Sequence, residues 1–279
     1  MHFPVERLQP LAFRRRLGSA FAITGLPLVL AGLAIPLGAK LGLNLRFLQF
    51  LLPVIAVVGY RFYVHRYEHR TLAELSSAGA IREFLGGCLL GAGLFSAVVA
   101  VLSVLGAFDI AGTGSLAGVA IALSSAVATG FVEEIVFRGI VYRLTEAAYG
   151  STIAIVASAA IFGFAHAFSP NASLVATVAI AIEAGILLAL AYVVTRRLWL
   201  AIGFHAAWNF TQGGIFGLAV SGHRSNGLLL GQTHGPEWLT GGAFGPEASV
   251  VAIAVCLPAA WALYVRARDR SLLVSRKHG

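Results

Sequence analysis

The sequence predicts an all-α fold, a polytopic transmembrane bundle of about eight helical spans with both termini in the cytoplasm. Three observations predict it. The 279 residues are 58% hydrophobic and only 11% charged, with a mean hydropathy of +0.84, whereas a soluble domain carries about 25% charged residues. Apolar windows of about 20 residues, long enough to cross a hydrocarbon core, recur along the chain. Lys and Arg are unevenly divided between alternate connecting segments.

The windows run approximately 20–43, 47–64, 84–108, 115–142, 151–168, 172–195, 198–219 and 247–266. The first begins near Phe21, after a basic, proline-containing arm over residues 1–19. It lacks a small-residue cleavage site followed by a soluble domain, so it reads as a retained helix rather than a signal peptide. The third and eighth hold Cys88 and Cys256, which read as small hydrophobes because two isolated cysteines offer no disulfide framework. The fourth carries Glu133, Glu134 and Arg138, the fifth ends near His166, the sixth holds Glu183, and the seventh holds His205 and Asn209. A basic tail, 267–279, follows the eighth. No internal repeat or appended soluble domain is evident, so 20–266 reads as one transmembrane domain. The stretch 220–246, rich in Gly and carrying His223, His234 and Trp238, reads as a connector, with a lid or an interfacial loop as alternatives.

Alternating sides along the chain orients it. One side collects Arg7, Arg14, Arg15 and Arg16, then Arg61, Arg66, Arg70 and Arg82, then Arg143, Arg196 and Arg197. The tail adds Arg266, Arg268, Arg270, Arg276 and Lys277, sixteen in all, against Lys40, Arg46 and Arg224 on the other side. The positive-inside rule places the first side in the cytoplasm and requires an even number of spans. The net charge of +8 does not imply a nucleic-acid partner, because the basic residues flank apolar spans instead of lining one face. Arg outnumbers Lys, which suggests a GC-rich bacterial genome and hence the bacterial cytoplasmic (inner) membrane.

Within the spans, polar residues are the informative exceptions. A charge at mid-bilayer depth costs at least about 2.5–3.5 kcal/mol on insertion scales, and the fourth span carries three. Glu134 and Arg138 lie four apart, share a helix face and can pair. Glu133 is rotated about 100° from Glu134, which leaves it to face a cavity. A bundle-stabilising ion network is the alternative for this triplet. The motifs Phe162-Gly-Phe-Ala-His166 and His205-Ala-Ala-Trp-Asn209 add two imidazoles and an amide on two further spans. Together these groups supply a general base, a second proton acceptor or metal ligand, and donors for an oxyanion. At about 1.5 Å per residue, Glu133 lies roughly 13 Å from the cytoplasmic end of its span, and His205 and Asn209 lie roughly 10 and 16 Å into theirs. His166 comes out deeper, at roughly 22 Å, so the Ser169-Pro170-Asn171 turn is expected to dip into the membrane, where irregular backbone is tolerated beside a cavity.

The ordered set Glu-Glu-x-x-x-Arg, Phe-x-x-x-His and His-x-x-x-Asn, with the approach Thr195-Arg-Arg-Leu-Trp-Leu-Ala-Ile-Gly-Phe-His205, resembles the CPBP family over residues 80–215. This is the family of type II CAAX prenyl endopeptidases and bacteriocin-processing or immunity proteases, also called Abi. The resemblance implies an intramembrane endopeptidase in which Glu133, helped by His166, activates water. His205 and Asn209 would stabilise the oxyanion, while Glu134 and Arg138 support the constellation. Its partners would be the lipid bilayer and a peptide or protein substrate in or at the membrane. Members are often called metalloproteases; Glu133, His166 and His205 could serve as ligands of a divalent metal such as zinc, whose involvement stays open. A non-catalytic scaffold or secretion or immunity partner, and a proton-coupled transporter using Glu133 and Glu183, are the alternatives. The string His65-Arg66-Tyr67-Glu68-His69 matches an inverzincin pattern, but its basic neighbours disfavour a cation and it reads as a juxtamembrane helix surface. Glu183 either faces the cavity or hydrogen-bonds to a neighbouring helix in protonated form; the second reading is preferred, because the family motifs do not require this residue.

Overall fold

Apolar surroundings provide no water for backbone amides, so a chain of this composition satisfies them within helices. The computed structural model describes residues 8–42 and 48–275. Residues 1–7 of the basic arm, with Arg7, and Arg46, Arg276 and Lys277 lie outside the described residues. In chain order the described helices are α1 (residues 10–40, with a π-helical turn at Phe21–Gly25), α2 (Leu48–Tyr67), α3 (Ala80–Val104) and α4 (Leu116–Tyr149). They continue with α5 (Ser151–His166), α6 (Leu174–Thr195), α7 (residues 199–215) and α8 (Val250–Asp269). Pro10–Ile35 of α1, with α3, α4, α6 and α8, is long and apolar enough to cross a membrane, and α5 is a shorter apolar helix. Leu30, Leu33, Leu89, Val175 and Trp261 remain exposed on these helices, as side chains facing lipid would be. The chain is an all-α, multi-pass integral membrane protein.

Two strands interrupt the pattern. Gly106 adopts a left-handed φ of 68° and turns the chain out of α3 into β1 (Phe108–Thr113), which pairs antiparallel with β2 (Leu229–Thr233). The third apolar window, drawn to residue 108, therefore ends early. The Gly-rich stretch taken as a connector instead supplies a strand and then folds back over the bundle, with Gly222 N–H donating to Phe244 O at 2.7 Å.

The centre of the bundle is α7 held between α3 and α4. A Cβ at Gly87 or Gly91 of α3 would strike the α7 backbone at Leu200 and Phe204, and one at Gly203 would strike the α3 backbone at Phe84. These glycines let the two backbones approach closely, as small residues four apart do in membrane helix pairs. Gly130 of α4 similarly faces Ile202 and Ala206.

Charge collects at one end of the bundle. Glu68 accepts from Arg70 Nε at 2.7 Å, Arg143 NH2 at 2.8 Å and the Tyr63 hydroxyl at 3.1 Å. Burial acts to raise its carboxyl, but Arg143 and Arg70 outweigh burial and hold it below the usual carboxylate range. Glu68 is therefore a buried tie between α2 and α4, not part of an open helix surface, while His65 and His69 beside it are exposed. At the same end Arg196 pairs with Glu146, Arg197 with Glu83, and Leu8 and Val274 bond to Ala147 and Ser151.

Candidate active site

Glu134 and Arg138 are the most deeply buried charges of α4, and neither side chain has any exposure. Arg138 NH1 donates to Glu134 Oε1 at 2.8 Å. Its NH2 donates to the Gly185 and Ala184 carbonyls of α6 at 3.2 and 3.3 Å. The guanidinium also lies 4.6 Å above the Phe162 ring of α5, so one side chain joins three helices. The intrahelical pair follows from the i, i+4 spacing; the carbonyl and aromatic contacts depend on how α5 and α6 are docked.

Glu134 has a second task. His205 Nδ1–H of α7 donates to the same Oε1 at 2.8 Å, a direction required because a carboxylate can only accept. That bond fixes the ring and turns Nε2 toward Glu133, whose Oε2 lies 3.8 Å away. This distance is too long for a direct hydrogen bond, but one water oxygen can reach both atoms. Glu133 is a quarter exposed, and its Oε2 has no hydrogen-bond partner among the described residues.

Glu133, His166, His205 and Asn209 all line one cavity of about 670 Å³. His166 reaches it from the last turn of α5, with Nδ1–H donating to Phe162 O at 2.9 Å and Nε2 left over. Helix α5 starts at Ser151 as read from sequence, and the backbone after His166 turns without continuing as helix. Asn171 Nδ2 donates to Gly222 O at 3.3 Å, so the 220s segment covers that turn. Segment 220–226 also lines the cavity on the side facing away from the charged end.

Thr129 and Glu247 support the site without belonging to any motif, whereas Phe162 opens the Phe-x-x-x-His motif and Glu183 stands out as a charge within a span. Thr129, one turn before Glu133, accepts from Asn209 Nδ2 at 3.1 Å and so orients the amide; its i−4 spacing was the available signal. Phe162 is the hub between the Arg138 guanidinium and the His166 and His205 rings, with centroids 4.7 and 6.1 Å away. Glu247, just before α8, accepts from Ser221 N–H at 2.5 Å and from Gln212, which anchors the 220s segment. No spacing in the sequence links those three residues. Glu183 accepts from Cys256 Sγ–H of α8 at 3.5 Å. It shares a space of about 20 Å³ with His166, His205, Asn209 and Glu247. Helices α4, α6 and α7 each hold a π-helical stretch at the site: Ile135–Tyr142 after Glu134, Ala181–Ile186 around Glu183, and Phe210–Ile215 after Asn209. Such widened turns recur at functional sites because they reset the phase of side chains along a helix.

The site offers part of a metal-binding donor set. Both imidazoles have Nδ1 engaged and Nε2 spare, the arrangement that orients metal ligands. Yet among the described residues no three His, Cys, Asp or Glu side chains converge closely enough to hold an ion. As they stand, Glu133, His166 and His205 do not form a ligand set.

Residues 114–211 match the family model described as type II CAAX prenyl endopeptidase Rce1-like. The matched stretch runs from the start of α4 into α7 and contains Glu133, Glu134, Arg138, His166, His205 and Asn209, in agreement with the family resemblance carried by the motifs. No curated protein matches the chain.

Proposed function

We propose that this chain, Rce1-like over residues 114–211, is an intramembrane endopeptidase that hydrolyses a peptide bond of a membrane-associated substrate with a Glu-activated water. The observation that carries the reading is the convergence of Glu133, His166, His205 and Asn209 on one cavity, behind which Glu134 joins His205 to Arg138.

A water in the gap between Glu133 Oε2 and His205 Nε2 gives a proton to the Glu133 carboxylate, assisted by His166, and its oxygen attacks the substrate carbonyl carbon. The oxyanion is met by the second Nδ2–H of Asn209, whose first is held by Thr129, and by Nε2–H of His205 in its doubly protonated form, whose Nδ1–H stays on Glu134. Glu133 then passes the proton to the departing amine, so the water's hydroxyl ends on the new carboxyl and its other hydrogen on the new amine. Arg138 and Glu134 touch no reacting atom and act as positioning residues. The same reading includes eight spans, cytoplasmic termini and a bacterial inner-membrane location.

The test is peptide release from reconstituted protein. Glu133→Gln preserves size and hydrogen bonding but removes the base, and general base catalysis contributes about 10²–10⁴-fold. Release is expected to fall by that factor with the fold intact, to fall also in His205→Ala, and to persist in a chelator. Wild-type release by a well-folded Glu133→Gln protein sinks the proposal.

A further inference from the structure

The cavity and the cationic end of the molecule point in opposite directions. From Glu133 the cavity follows one stripe of α4 through Thr129, Ser125 and Ala122 to Gly118. That is 15 residues, or about 22 Å of helix, toward the N-terminal end of α4. Its other walls come from the same end of the bundle: Gln49 at the start of α2, Ser169 just after α5, and Ser221 to Asn226 after α7. In the other direction α4 closes the floor, with Ile135, Arg138, Ile140 and Tyr142 fully buried. Beyond them lies the layer of Arg70, Arg143, Arg196 and Arg197 with their carboxylate partners. Among the described residues every Lys and Arg except Lys40, Arg138 and Arg224 belongs to that layer or to the helix ends beside it.

Lys and Arg near span ends set orientation, and acidic neighbours weaken that bias little. We infer that the reaction cavity opens to the extracytoplasmic face. Given the endopeptidase reading above, the substrate is then an exported peptide, or the outer juxtamembrane segment of a membrane protein, and not a cytoplasmic tail. The alternation of helix directions brings this about: His166 and Asn209 stand near the outward ends of α5 and α7, so the site is reached from that side. The exposed polar rim of His223, Arg224 and Asn226 provides hydrogen-bonding groups where a peptide backbone would leave water.

Two single-cysteine proteins test the sidedness without relying on turnover. In a Cys88→Ala/Cys256→Ala parent, His223→Cys reports on the rim and Ser77→Cys, in the exposed loop after α2, reports on the cationic end. With a membrane-impermeant maleimide on intact cells, His223→Cys is expected to label and Ser77→Cys to label only after permeabilisation. The reverse pattern, or both sites labelling in intact cells, overturns the inference. A peptide substrate added outside sealed right-side-out vesicles separates the two proposals. Cleavage that appears only on permeabilisation defeats the outward opening and leaves the protease reading standing. Outward labelling with no cleavage on either side defeats the protease reading and leaves the orientation standing.

Discussion

Replacing Arg138 with Met tests whether the buried ion pair is a structural necessity or an incidental contact. The substitution keeps most of the volume over Phe162 but removes the donor to Glu134 Oε1 and to the Ala184 and Gly185 carbonyls. Glu134 would then be a fully buried carboxylate whose Oε2 already lacks a partner among the described residues. Leaving one member of a buried pair uncompensated costs about 3–5 kcal/mol, whereas an ordinary interhelical hydrogen bond in a membrane protein averages about 0.6 kcal/mol. The two magnitudes are far enough apart to decide. Arg138→Met should lower unfolding free energy in detergent, followed by tryptophan fluorescence, by the larger amount. Adding Glu134→Gln removes the stranded charge and should recover most of that loss. Activity should not recover with it, since His205 is then oriented by a neutral amide, and loss of a partner that orients a functional imidazole typically costs 10–100-fold. A single variant as stable as wild type, or a double variant no better than the single, would refute the reasoning.

Thr129→Val is close to isosteric and removes the group that orients Asn209; it should cost about the 0.5–1.5 kcal/mol of stability that one hydrogen bond contributes and reduce kcat severalfold with KM nearly unchanged, which steady-state peptide release reads directly. Gly91→Leu drives a side chain into the α7 backbone at Phe204 and should destabilise by at least the 1–3 kcal/mol typical of overpacking; an unchanged thermal midpoint would contradict the close approach. The Arg143 and Arg70 partners hold the Glu68 carboxyl below its ordinary range despite burial, so the stability it contributes is complete above an unfolded carboxyl pKa of about 4.3 and is lost as pH falls through the lower native value. Acid unfolding curves of wild type and Glu68→Gln should therefore differ by a constant offset near neutrality and converge below about pH 4; curves that stay parallel to the lowest pH tested would remove Glu68 from the acid response.

Residue type and local spacing already specify much of this molecule. Composition alone requires a helical membrane protein, since neither a soluble core nor open strands could accommodate 58% hydrophobic and 11% charged residues. The Glu134–Arg138 pair is an i, i+4 consequence of α4, and the angular separation of Glu133 follows from the same geometry. Because it is local, that geometry survives any way of packing the helices. The convergence of His166, His205 and Asn209 with Glu133 on one cavity could be only hoped for from motif order, since it depends on how α5 and α7 sit against α4. Gly130 of α4, with glycines 87, 91 and 203 between α3 and α7, sets the place of α7 by letting helices meet closely, and a sequence window records a glycine without recording what it approaches. The β1–β2 ribbon and the Glu247–Ser221 anchor join residues more than twenty positions apart, beyond the reach of any local period. Periodicity speaks only for neighbours along one helix; which face of that helix meets which other helix is decided by three-dimensional complementarity.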